Sequence, residues 1–199
     1  MSRPAADGPG IAGCRAHSPA QPTPEETALT IEVTHNGDRL VLATERVVLR
    51  EQTPEDARAL ALGKPGDLTW VDGAPGEGTV VAAGMTVRAA EAGVHRPGWG
   101  LFVIQRAEDA AAVGGIGFHG PPAEGTVEIG YDLTASTRGA GWATDAVRIL
   151  SGHALDQPEV ERVLATTEPG NLPSQRVLER AGYRRIEDRE GLMAFELDR

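Results

Sequence analysis

The stretch STRGAGWATD, from Ser136 to Asp145, constrains this chain more than any other. It sits between a β-prone run at 126–134 (TVEIGYDLT) and a helical pattern at 140–156 that lines up Ala143, Val147, Leu150 and Ala154 on one face. Pro158 marks the end of that helix, and a second β-prone run, VERVLATT at 160–167, follows. Strand, bare basic turn, helix and strand make a βαβ unit, which requires a sheet with a helix packed against it.

The rest of the chain fits around that unit. LTIEVTHNGDRLVLA, ending at Ala43, places Asn36-Gly37 between alternating runs, the signature of a hairpin whose turn needs positive φ at its centres. A strand up to Arg50 leads into a helix with Thr53 as N-cap, Pro54 in first position and Glu55 and Asp56 in its acidic first turn. A Gly/Pro/Asp loop at 64–78 and a helix near 79–93 come next, then strand patterns in GLFVIQRA and AAVGGIGFHG. After the βαβ unit, NLPSQRVLERAG predicts a helix with Asn171 at its N-cap, Pro173 in its first turn and Gly182 at its stop. YRRIEDREGLMAFELD closes as a hairpin. Strands first, then βαβ, then αββ, with no internal repeat, predict a mixed α/β (α+β) sheet. Residues 1–28, rich in Pro, Ala and Gly, are expected to be a flexible tail.

The turn itself suits an anion. A helix start leaves backbone N–H groups unpaired and carries partial positive charge. Gly139 and Gly141 clear side chains from those donors, and Arg138 adds a planar positive fork suited to phosphate. A P-loop would need Lys-Ser/Thr where Trp142-Ala143 stands, and a Rossmann fingerprint a third small glycine-like residue where Thr144 stands. A plain strand–helix turn without a ligand stays open on the glycines alone.

Composition narrows the partners. The net charge is −10 and Lys64 is the sole lysine, which argues against nucleic acid as a partner and is compatible with amine substrates. No apolar run is long enough to span a membrane and no signal pattern opens the chain, so a cytoplasmic protein is expected. Cys14 is the one cysteine and lies in the tail, so neither a disulfide nor a metal site is expected.

With its surroundings, the turn resembles the GNAT family of acyl-CoA-dependent N-acetyltransferases. Arg138-Gly-Ala-Gly141-Trp-Ala143 matches that family's pyrophosphate motif Arg/Gln-x-x-Gly-x-Gly/Ala, while GGIGFHGPP, VEIGYDL and NLPSQRVLERAGYRR resemble the branch that includes the ribosomal-protein N-terminal acetyltransferases. The resemblance runs from Arg46 to the C-terminus. It leaves 1–28 as tail and 29–44 as an additional hairpin beside an acetyltransferase domain at 45–199. It implies a central, mostly antiparallel sheet with a splayed parallel strand pair flanked by helices, and acetyl-CoA as co-substrate without a metal. The pyrophosphate would rest on Arg138, Gly139, Ala140, Gly141, Trp142 and Ala143, and the pantetheine arm would pair with the backbone of Tyr131, Asp132 and Leu133. Asn171 matches a cofactor-contacting position, though a helix cap accounts for it equally well.

Transfer of an acetyl group to an amine needs a base for the amine proton and donors for the thioester oxygen. Glu128 is the leading base: alternation turns it away from Val127, Ile129 and Tyr131, and burial at the gap would raise its pKa. A solvent-facing strand glutamate is the alternative. His119 ends a strand and is either a proton shuttle or a hydrogen-bonded rim residue. Many members of the family protonate the leaving thiolate with a tyrosine in the last helix. Leu178 stands there in this chain, so either Ser174, Tyr183 or water replaces it or the thiolate leaves without help. Glu168, Trp70 and Trp99 are candidates for the substrate wall, each with a reading as exposed charge or ordinary packing beside it. The resulting expectation is an N-acetyltransferase for a protein N-terminus or a small amine, with a catalytically degenerate CoA-binding module as the alternative. The 29–44 hairpin is expected either to cover the domain's own sheet edge or to pair with a second copy in a homodimer.

Overall fold

A computed structural model describes Met1, residues 30–37 and residues 39–199. Residues 2–28 of the expected tail, Cys14 among them, lie outside the described residues. The chain runs β1 (Glu32–Asn36), β2 (Arg39–Ala43), β3 (Val47–Glu51), α1 (Pro54–Ala61), α2 (Glu77–Glu91), β4 (Leu101–Arg106), β5 (Ala112–Phe118), β6 (Thr126–Leu133), α3 (Trp142–Leu155), β7 (Arg162–Thr167), α4 (Leu172–Arg180), β8 (Arg184–Arg185) and β9 (Met193–Asp198). The strands form one sheet in the order β1-β2-β3-β4-β5-β6-β7-β9-β8. All neighbours are antiparallel except β6 and β7, the two strands joined through α3.

Local chemistry explains where the elements begin. Thr53 accepts from the Asp56 N–H while the Asp56 carboxylate accepts from the Thr53 N–H, a reciprocal cap that starts α1 at Pro54. Asn171 caps α4 by accepting from the Ser174 N–H, and Gly182, at φ 96°, ends the turn that follows. The first hairpin forms one residue later than the Asn-Gly pair suggests. Asn36 is still paired with Arg39, so Gly37, at φ 63°, takes the first turn position. Cross-strand register, rather than the dipeptide, sets the turn centre.

The sheet is covered on both faces. Phe102, Ile104, Val127, Ile129, Val163 and Phe195 pack under α3 and α4 with Val147, Leu150 and Leu178. Leu101, Val103 and Ala112 pack on the opposite face with Ala57 and Leu60 of α1 and Ala83 of α2. The first hairpin shares this core, because Leu40 and Leu42 are buried in the cluster below α3. No helix among the described residues is long and apolar enough to cross a membrane.

Candidate functional site

The site begins where the sheet opens. The β6–β7 ladder stops at Ile129 opposite Ala165, while β6 continues through Gly130–Leu133 and β7 through Thr166–Thr167. On its other side β6 remains paired with β5 as far as Leu133. The His119 N–H donates to the Glu128 carbonyl and the Thr134 N–H to the Val113 carbonyl, so the even-numbered residues of β6 turn their backbone groups toward β5. Tyr131 and Leu133 therefore turn theirs toward the opening. Asp132 does not: its backbone belongs to the β5 ladder, and its side chain takes a hydrogen bond from the Thr79 hydroxyl at the start of α2. Arg138 closes one end of the edge by donating through Nε to the Leu133 carbonyl at 3.3 Å.

The glycine turn stands beside that edge. Gly139 and Gly141 take φ values of 79° and 88°, a left-handed conformation that side chains resist. They bracket Ala140 and lead into Trp142 and Ala143, the first residues of α3. No side chain caps this helix start, which leaves the first-turn N–H groups available. A second arginine, which the sequence reading missed, lies over the turn. Arg46, on the β2–β3 connection, stacks on the Trp142 ring at 4.1 Å, pairs with the Asp145 carboxylate and donates to the Ala140 carbonyl. Its only sequence signal is a position at the edge of the family resemblance.

Across the sheet from α3, a cavity of about 280 Å³ lies between α2 and the β4–β6 surface. Ala82 and Met85 wall it on the α2 side, Gly115, Gly117 and Gly130 leave room on the sheet side, and His119 borders it. Glu128, on the same strand face as Gly130, stands behind His119 with Oε1 3.7 Å from Nδ1 and accepts from the Thr166 hydroxyl at 2.9 Å. The carboxylate holds the imidazole above its usual pKa. His119, and then Thr166, in turn hold Glu128 below the ordinary glutamate range, outweighing its partial burial. This reverses the direction expected from burial alone. Glu128 is an ionised partner near neutral pH, and His119 is the member of the pair that faces the cavity.

The remaining candidates separate cleanly. The Tyr131 hydroxyl reaches across the opening to α4, 2.8 Å from the Ser174 Oγ, with the Ser174 carbonyl 3.2 Å away. Burial pushes this phenol up to about 12, so it stays protonated near neutral pH. Leu178, at the position expected for a catalytic tyrosine, is wholly buried under the sheet. Tyr183 is buried and its hydroxyl pairs with Ser151 at 2.7 Å, away from the opening. Glu168 is exposed on the β7–α4 loop and does not border the cavity. Trp70 and Trp99 do not border it either. Trp70 is 5% exposed with Nε1 donating to the Pro65 carbonyl, and Trp99 is 8% exposed against Phe118, with ring centroids 4.9 Å apart. Both are core residues, because each indole satisfies the packing of its own layer. Among the described residues no group of three or more His, Cys, Asp or Glu side chains is arranged to hold a metal.

The class of fold is thus a sheet flanked by helices on both faces, opening between its one parallel strand pair, with a helix start that no side chain caps beside the opening. Residues 46–184 match the Acetyltransferase (GNAT) domain family, and the chain belongs to it. The uncharacterized N-acetyltransferase YjdG of Bacillus subtilis is 37% identical over 87 residues, which cover 43% of this chain and 52% of that protein. The chain thus spans about half the length of this curated relative. The fold is shared with the ribosomal-protein-S5-alanine acetyltransferase from Vibrio fischeri (TM-score 0.57, 15% identity, 79% of this chain and 96% of that one). It is shared also with Mycobacterium smegmatis RimJ in complex with CoA-disulfide (TM-score 0.53, 22% identity, 84% of this chain and 86% of that one).

Proposed function

We propose that the protein transfers an acetyl group from acetyl-CoA to a primary amine that enters the cavity under α2. The observation that carries this reading is the left-handed glycine turn at the uncapped start of α3, next to the β6 edge where Tyr131 and Leu133 have no strand partner on the β7 side. The turn offers N–H donors to the pyrophosphate, and the strand edge offers pairing groups to the pantetheine amides. Gly139 to Ala143 and Arg138 would hold the cofactor, with Asn171 serving α4 as its cap. CoA bound to a fold neighbour supports the same assignment.

On this reading the amine approaches from the α2 side and the thioester occupies the opening of the sheet. His119 takes the proton that the ammonium must lose before its nitrogen attacks, and Glu128 holds the imidazole in place. The C–N bond forms as the C–S bond breaks. The Tyr131–Ser174 hydroxyl pair supplies a proton to the departing thiolate, the role that Leu178 cannot fill. The largely apolar cavity and its acidic neighbours, Glu128 and Asp132, favour an amine on an apolar body over an acidic acceptor.

Calorimetric titration of acetyl-CoA, beside ATP and NAD, tests this directly. Micromolar binding of acetyl-CoA alone, lost in a folded Gly141→Glu variant, is expected, because glutamate adds both strain at φ 88° and a like charge at the cradle. Absence of acetyl-CoA binding by the folded wild-type chain would overturn the proposal.

A further inference from the structure

The cradle at the start of α3 contains two groups that work against an anion. One is the Ala140 carbonyl, within the turn itself. The other is the Asp145 carboxylate, in the first turn of the helix, whose own N–H donates to the Gly141 carbonyl. A phosphate approaching the free N–H donors would meet a partial and a full negative charge beside them. Arg46 engages both. One Nη donates to the Ala140 carbonyl, the other pairs with Asp145, and the guanidinium carbon lies over the Trp142 ring, 4.1 Å from its centroid. The Nη1 that holds Asp145 stands 3.2 Å from where a Cβ on Gly141 would be, so the neutralisation takes place at the turn.

We infer that Arg46 is a positioning residue for acetyl-CoA: it ties back the two acceptors of the glycine turn so that only donors face the cofactor's phosphates. Stability alone does not account for the arrangement, since the Arg46 and Asp145 side chains are 47% and 25% exposed and ion pairs this open contribute little. The planar fork explains why arginine serves here. It bridges a carboxylate and a carbonyl while stacking on an indole, which an ammonium cannot do. The inference rests on the glycine turn being the cofactor's phosphate cradle.

Acetyl-CoA affinity is to be measured by calorimetry, with steady-state kinetics, for the wild-type chain, Arg46→Ala, Asp145→Asn and the double variant. Arg46→Ala should weaken binding about tenfold at low salt, with the loss shrinking as salt rises and kcat at saturating acetyl-CoA unchanged. Asp145→Asn should bind at least as tightly as wild type. The double variant should return to within about threefold of wild type, because the charge that Arg46 masks is gone. Wild-type affinity in Arg46→Ala would overturn the inference, as would a double variant as weak as the single. A purely structural role predicts no such rescue. Should Arg46→Ala fail to fold, weaker binding by Asp145→Asn alone would be decisive against it. Failure of the cradle reading looks different, since the wild-type chain would then not bind acetyl-CoA at all.

Discussion

The Glu128–His119 pair makes a prediction with a definite sign. His119 accepts a proton only when neutral, and Glu128 raises its pKa above the ordinary 6.5. The rising limb of kcat/KM against pH should therefore lie above 6.5. In Glu128→Gln the carboxylate is gone and the imidazole pKa falls back, so the limb should move to lower pH. The plateau should drop by about 10²-fold as His119 loses its orienting partner. A pH–rate profile of both proteins checks this, and an unmoved limb would detach Glu128 from the base. The candidate pair was legible as two separate residues, but neither their contact nor the direction of the Glu128 shift was. The β5–β6 register decides both by setting His119 opposite Glu128.

Among the elements, β5 is the one whose residues are most tightly dictated. A Cβ on Gly117 would lie 2.6 Å from the Gly100 carbonyl oxygen and 3.0 Å from the Leu101 Cα, backbone atoms of the neighbouring strand and its approach that cannot rotate away. Gly117→Ala should destabilise the fold by about 1–3 kcal/mol, measured by urea unfolding, even though alanine is otherwise the milder strand residue. The run GGIGF reads in the sequence as a strand with glycines. The pressure of its neighbours on those glycines does not show there, since Gly100 and Thr79 reach it only through tertiary packing. Helix starts were the opposite case. Thr53-Pro54 and Asn171 were readable because a cap involves atoms within three residues of each other.

At the scale of the whole molecule, the first hairpin belongs to the same sheet as the family domain. β2 pairs with β3, covering its edge, and Leu42 is fully buried in the cluster beneath α3. Leu42→Ala should cost about 2–5 kcal/mol in the main unfolding transition. A separate appendage would leave that transition where it is, so a denaturant melt distinguishes the two. The family match begins at residue 46, yet the hydrophobic core does not respect that boundary.

The sequence by itself determined the order and kind of the elements, their caps, the bare turn of Gly139 and Gly141, and through the turn's neighbours the family. Each of these depends on φ preferences, hydrogen bonds or periodicities that act within a few residues along the chain. Only the tertiary structure decided that Trp70 and Trp99 are core, that Asp132 serves α2 instead of the open strand edge, and that Tyr131 meets Ser174. It alone brought Arg46 to Ala140 and Asp145, 94 and 99 residues away along the chain. Burial and charge pairing depend on which distant segments a fold brings within a few ångströms, and sequence spacing carries no record of that distance.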